Sequence, residues 1–125
     1  MLFDTDIFIW VQRGNLKAAR LIDGENERLL SLFSYLKLLQ GARDRKQLHY
    51  TRDFLKQYGF TILPLTENIG HRAAVYVESY GLSGGLRAAD AVIAATAVEH
   101  GLTLCSGNAK NFRPVAGLKL SVFKA

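Results

Sequence analysis

With 125 residues, 49% of them hydrophobic, the chain suits one globular domain with a real core and leaves no room for a second. A net charge of +5 and a pI near 9.6 favour a polyanionic partner such as nucleic acid, though ordinary basic helix faces would give the same balance. The lone Cys105 excludes an intrachain disulfide and fits a reducing, cytoplasmic setting; no apolar run reaches the roughly 18 residues of a membrane span, and the start lacks the features of a signal peptide.

In chain order, residues 1–4 read as a strand, 7–12 as a short helix ended by Gly14, and 16–22 as a second helix before Gly24. Residues 28–33 suit a strand. Ser34 is expected to cap a helix through Gln40, with Gly41 as its stop. Residues 43–58 form a charged amphipathic pattern with Leu48, Phe54 and Leu55 inward, followed after Gly59 by a strand over 60–63. Thr66 caps a helix through about Tyr80, the glycine-rich 81–85 reads as a hinge, and 86–100 is an alanine-rich helix closed by Gly101. Strands over 102–105 and 118–122 complete the chain. Strands separated by helices predict an α/β fold of three layers, a mainly parallel central sheet flanked by helices, with ligands at the carboxyl ends of the strands.

Chemistry concentrates at two acidic sites. Asp90 is the only charge between Arg87 and Glu99, and a carboxylate in so apolar a helix is costly without a partner. Asp4 follows the apolar start Met1-Leu2-Phe3 and leads into Thr5-Asp6. Both sites lie at the edge of a buried element, an arrangement that suggests a metal site. Each acid also has a purely structural reading: Asp90 answers the positive end of its helix, and Asp6 caps the helix it begins. Ser106-Gly107-Asn108, at the end of the strand containing Cys105, points at the same edge as Asp4. His49, His71 and His100 share no zinc-ligand spacing. Trp10, Phe8 and Phe54 read as core or dimer contacts.

The segments Leu2-Phe3-Asp4-Thr5-Asp6-Ile7-Phe8-Ile9-Trp10, Ser34-Tyr35-Leu36-Lys37-Leu38-Leu39-Gln40-Gly41-Ala42-Arg43, Leu86-Arg87-Ala88-Ala89-Asp90-Ala91-Val92-Ile93-Ala94-Ala95-Thr96-Ala97 and Leu102-Thr103-Leu104-Cys105-Ser106-Gly107-Asn108-Ala109-Lys110-Asn111-Phe112, in this order and spacing, resemble the PIN-domain nucleases. Among those, the resemblance is to the small single-domain toxins of the VapC type, and it covers almost the whole of residues 1–125. It implies an endoribonuclease using Mg2+ or Mn2+, with Asp4 and Asp90 as metal ligands. Asn108 would stand where the family has Asp or Asn, and Ser106 would supply a supporting hydroxyl. A cognate antitoxin, an RNA substrate and a homodimer are the implied partners. Hard divalent cations prefer such oxygen ligands, and basic side chains around them would hold the RNA backbone.

One position departs from the pattern: Lys37 occupies the place of a family glutamate. Read with Ser34 as the cap, Lys37 falls where a capping box wants Glu or Gln, and opposes the helix dipole. A lysine about 5 Å from a divalent ion, at an effective dielectric near 20, repels it by roughly 6 to 7 kcal/mol before screening. The expectation is that Lys37 takes the cation's place, pairing with Asp4 and Asp90, so that cleavage is weakened or lost. The bland alternative is that Lys37 snorkels to solvent and leaves a weakened metal site. A second function then competes, a catalytically inactive PIN domain that binds antitoxin or RNA without cleaving. Asp4-Thr5-Asp6 also resembles the start of a haloacid-dehalogenase-type phosphatase, but no later paired-Asp motif follows.

Overall fold

Five short parallel strands run through the middle of the molecule, and the chain leaves each of the first four into helix. The computed structural model describes residues 1–125. In order, the elements are β1 (Leu2–Phe3), α1 (Thr5–Gln12), α2 (Leu16–Asp23), β2 (Leu29–Ser31), α3 (Leu32–Gln40), α4 (Arg45–Gln57), β3 (Thr61–Leu63), α5 (Glu67–Gly84), α6 (Ala88–Glu99), β4 (Thr103–Ser106), α7 (Ala109–Phe112) and β5 (Lys119–Val122). The sheet order is β3-β2-β1-β4-β5. Leu2 pairs with Leu29 on one side and Leu104 on the other, and Phe3 with Cys105.

The period-two geometry of a strand divides these residues between two cores. Leu2, Leu29 and Leu104 join Ile69, Ala73 and Tyr76 of α5 and the alanines of α6. Phe3, Leu30 and Cys105 face the other way, toward Ile7 and Phe8 of α1, Ala18 and Ile22 of α2, and Leu55 of α4. Strands buried on both faces explain why two to four residues suffice for each central strand. Phe3 is fully buried and meets Phe8 and Phe60 edge-on at 6.5 and 5.9 Å, a burial that contributes about 2 to 3 kcal/mol. α6 is apolar all round because it lies between the sheet, α5 and α3. Small alanines let it approach the sheet closely. No helix is long and apolar enough to cross a membrane.

The parallel α/β architecture agrees with the sequence reading, and two local expectations do not. Ser34 does not cap α3. The cap is Ser31, whose hydroxyl accepts from the Ser34 N–H at 3.0 Å, because β2 ends at Ser31, two residues before the expected strand end at Phe33, and the helix begins at once. Residues 81–84 form no hinge: they continue α5 to Gly84, and Gly85, at φ +69, closes it. The glycines are tolerated since Gly84 sits against Pro114, where a Cβ would approach the ring to 3.3 Å. α7 follows β4 directly and had no separate expectation. Cys105 is buried in β4, and burial pushes its thiol up to about 11, which leaves it unreactive.

Candidate active site at the switch point of the sheet

The chain builds β1, β2 and β3 outward in one direction and then returns to place β4 on the opposite side of β1. A crevice opens outside the carboxyl ends of the strands where the order reverses. Asp4 leaves β1 there, and Ser106 ends β4 beside it.

Asp4 is the N-cap of α1 and is 7% exposed. One carboxylate oxygen accepts the Thr5 N–H at 2.7 Å, and the other accepts the Ser106 hydroxyl at 2.7 Å. Ser106 Oγ in turn accepts the Asn108 N–H at 2.9 Å. Burial raises the pKa of Asp4 above the usual carboxylate range; the bonds from Ser106 and Thr5 oppose this, Asp90 adds a smaller upward push, and Lys37 a smaller downward one. Beneath Asp4, Thr5 Oγ1 donates to Ser34 Oγ at 2.9 Å, and Ser31 donates to Ser34 at 3.1 Å. Three buried hydroxyls thus tie the first turn of α1 to the start of α3. The spacing Ser31-x-x-Ser34 was the available signal for this link, and the longer expected strand concealed it.

Asp6 is not the cap of its helix. It sits in the first turn of α1, and one of its oxygens accepts the Gly107 N–H at 2.9 Å while the other is buried without a hydrogen-bond partner. Burial, then the nearby Asp4, pushes Asp6 up to about 6. Gly107 is required by this contact, because a Cβ there would lie 2.8 Å from the Asp6 carboxylate. Asp90 occupies the first turn of α6, as its position in the alanine run implied. Asn111 Nδ2 approaches it at 3.4 Å, a long contact between residues that sequence reasoning did not connect. Asn108 precedes α7, and its side chain makes no capping bond.

Asp4, Asp6, Asp90, Asn108 and Lys37 all line one open cleft of about 860 Å³. Sequence reasoning did not place Arg13 or Tyr50 there, nor assign Arg43 to this cleft among the basic residues of the chain. All three lie on its wall, brought in by the ends of α1 and α3 and the face of α4, contacts that no local pattern encodes.

Lys37 departs from expectation in two ways. With Ser31 as cap it is the sixth residue of α3 and lies in the last turn, where a cation favours the helix dipole. The expected ion pair with Asp4 and Asp90 is not formed. The ion pairs of the molecule are Arg72–Glu99, which links the start of α5 to the end of α6, and His71–Glu67 when that histidine is protonated; neither involves Lys37, Asp4 or Asp90. Lys37 is exposed, and its Nζ stands 5.9 Å from the centre of the Phe33 ring.

Would a hard divalent cation suit this site? In kind, the donors fit: buried carboxylate oxygens of Asp4, the acid of Asp90, and an Asp6 oxygen with no partner. In number they are sparse, since no three acidic or imidazole side chains converge as a ligand cluster. Magnesium sites in general need only one or two protein carboxylates, with several waters completing the shell.

The PIN domain family matches residues 1–118 of the chain. Among solved structures, the toxin-antitoxin complex from Klebsiella pneumoniae contains a chain 30% identical to this one, with a TM-score of 0.79 and coverage of 94% of this chain and 93% of the other. FitAcB from Neisseria gonorrhoeae is 25% identical, with a TM-score of 0.72 over 95% and 94% of the two chains. VapBC-1 from nontypeable Haemophilus influenzae shares the fold at a TM-score of 0.80 and 22% identity, over 97% and 96%. Comparison with curated proteins finds no match. Sheet order, cleft and sequence blocks therefore converge, and the chain belongs to the PIN domain family.

Proposed function

We propose that the chain is a metal-dependent PIN-domain endoribonuclease scaffold, a single domain over residues 1–125 that serves as the toxin of a toxin–antitoxin pair in the cytoplasm, with cleavage attenuated by Lys37. The observation that carries this reading is the meeting of Asp4 and Asp90 in one open cleft at the switch point of the sheet, with Asp4 desolvated and sensing the charge of Asp90. The similarity to a chain of the Klebsiella pneumoniae toxin-antitoxin complex supports the pairing with an antitoxin, and a homodimer is the assembly we assign to it.

Asp4 and Asp90 would hold the ion, with Mg2+ or Mn2+ as the fitting choices. When bound, it supplies positive charge to the scissile phosphate and lowers the pKa of a coordinated water. The protein's own residues set the stage. Ser106 fixes the orientation of Asp4, and the Asn108 N–H fixes that of Ser106. The hydroxyl chain Thr5–Ser34–Ser31 holds the floor of the site. Asn108 offers an amide to the cleft. Lys37 brings a positive charge into the same cleft and lowers local affinity for a second cation.

That last observation favours a second reading, a PIN domain that binds antitoxin or RNA without cleaving it. Cleavage of a mixed RNA panel in Mg2+ or Mn2+ separates the two, using the chain itself, Lys37→Glu, and Asp4→Asn on each. Cleavage strengthened by Lys37→Glu and abolished by Asp4→Asn supports the attenuated nuclease. Absence of cleavage in all four proteins sinks it in favour of binding alone.

A further inference from the structure

The ionisable groups around the cleft are evenly divided. Asp4, Asp6 and Asp90 come from a strand end and the first turns of α1 and α6. Arg13, Lys37 and Arg43 come from the C-cap of α1, the last turn of α3 and the turn after it. A glutamate at position 37 would make the division four against two. As built, the cleft carries no formal charge excess that a metal must neutralise. None of its three cations is engaged in an ion pair, and all three are exposed. The Arg13 guanidinium lies over Trp10 at 5.7 Å and the Lys37 ammonium near Phe33, contacts that hold the charged heads against aromatic faces while their exposed N–H groups remain open to an anion. Tyr50 stands 59% exposed on the same wall, an uncovered ring on which a base can stack.

We infer that Arg13, Lys37 and Arg43 form a metal-independent phosphate seat, which holds the backbone of single-stranded RNA across the cleft with a base against Tyr50. This rests on the nucleic-acid reading above and adds to it. Lys37 does more than deter a metal: it replaces a metal-bridged contact with the substrate by a direct one. Affinity for RNA is thereby uncoupled from divalent ions, whereas cleavage is not.

The test is binding of a fluorescein-labelled single-stranded RNA of about 12 nucleotides, a length matched to a single-domain groove, in EDTA across a salt series. Three phosphate contacts predict a slope of log affinity against log salt of about −2, and Lys37→Gln or Arg43→Gln should each reduce it by about 0.7. Tyr50→Ala should weaken binding about tenfold with little change in slope. Circular dichroism confirms that these exposed substitutions leave the fold intact. Binding in EDTA that is absent, or indifferent to both Lys37→Gln and Arg43→Gln, overturns the seat. So does equal competition by a poly-glutamate peptide, which would mark it as a seat for acidic protein segments. Cleavage by Lys37→Glu in Mn2+ is read in parallel. Its absence with EDTA binding intact would defeat only the nuclease reading, and its presence without EDTA binding would defeat only the seat.

Discussion

Ser106 and Asp4, 102 residues apart in the chain, are joined by a 2.7 Å hydrogen bond in which the serine hydroxyl donates to a buried carboxylate. Burial works against the charge on Asp4, and this bond is the largest influence opposing it. Replacing Ser106 with alanine should destabilise the protein at pH 7 by about 1 to 3 kcal/mol, since a buried acceptor loses its partner. Urea unfolding at pH 7 and again near pH 4 checks it: the loss should shrink at the lower pH as Asp4 takes a proton.

Gly107→Ala should be disproportionately costly for a glycine outside any helix. Its Cβ would fall 2.8 Å from Asp6 Oδ2, so the loop must shift and the bond to the Gly107 N–H must break. About 1 to 3 kcal/mol is expected from thermal or urea unfolding. In the Asp6→Ala background Gly107→Ala should cost much less, because Asp6→Ala removes the atom that the new Cβ would strike. An undiminished cost in that background would place the strain elsewhere.

Asp6 makes stability depend on pH with a definite sign. Its carboxyl is pushed from 3.8 up to about 6 in the folded protein, so the fold favours the protonated form. Its contribution is fully present below about pH 4 and is lost as pH rises through about 6. Asp6→Asn should therefore gain relative to the parent as pH climbs from 4 to 7, by about 1 to 2 kcal/mol after allowing for solvent screening at this half-buried site. Unfolding free energies at pH 4, 5.5 and 7 measure this; a parent that gains on the variant over that range contradicts it.

Ser31 and Ser34 should differ when each is changed to alanine. Ser31→Ala removes the cap of α3 and one bond of the hydroxyl chain, a loss of about 1 to 2 kcal/mol. Ser34→Ala leaves the cap in place but strands the hydroxyl of Thr5 beside Asp4. It should cost a similar amount while moving the Asp4 titration more, a shift that NMR of the Asp4 side-chain carbon would follow.

Periodic features were the legible part of the sequence. Apolar runs separated by helical patterns implied the parallel α/β sheet, and the isolated charge of Asp90 in an alanine helix marked its place in the first turn of α6. The glycines of 81–85 misled because composition cannot register Pro114, which packs against that turn from the far end of the chain. Ser34 misled for the converse reason: Ser31 lies inside what looked like continuing strand, yet it is the last residue of β2, paired with Leu63, and its side chain caps the helix that starts at the next residue. Lys37 was recognisable as a departure, but its neighbours were not, since the cleft is assembled from elements as far apart in the chain as Asp4 and Asn108 and its width is set by helix packing. Arg13 and Tyr50 reached the wall by that packing alone.

The centre of the sheet is β1, made before the other strands of the sheet, and its partner β4 is the fourth of the five. A nascent chain that has made β1 through α6 therefore has Asp4 and Asp90 but neither the strand that flanks Asp4 nor the hydroxyl that aims it. Closing so long a loop is an entropic cost that cannot be met until β4 emerges. A chain still without β4 therefore has no formed cleft, and truncation between Asp90 and Ser106 yields a fragment that has its acids but no site.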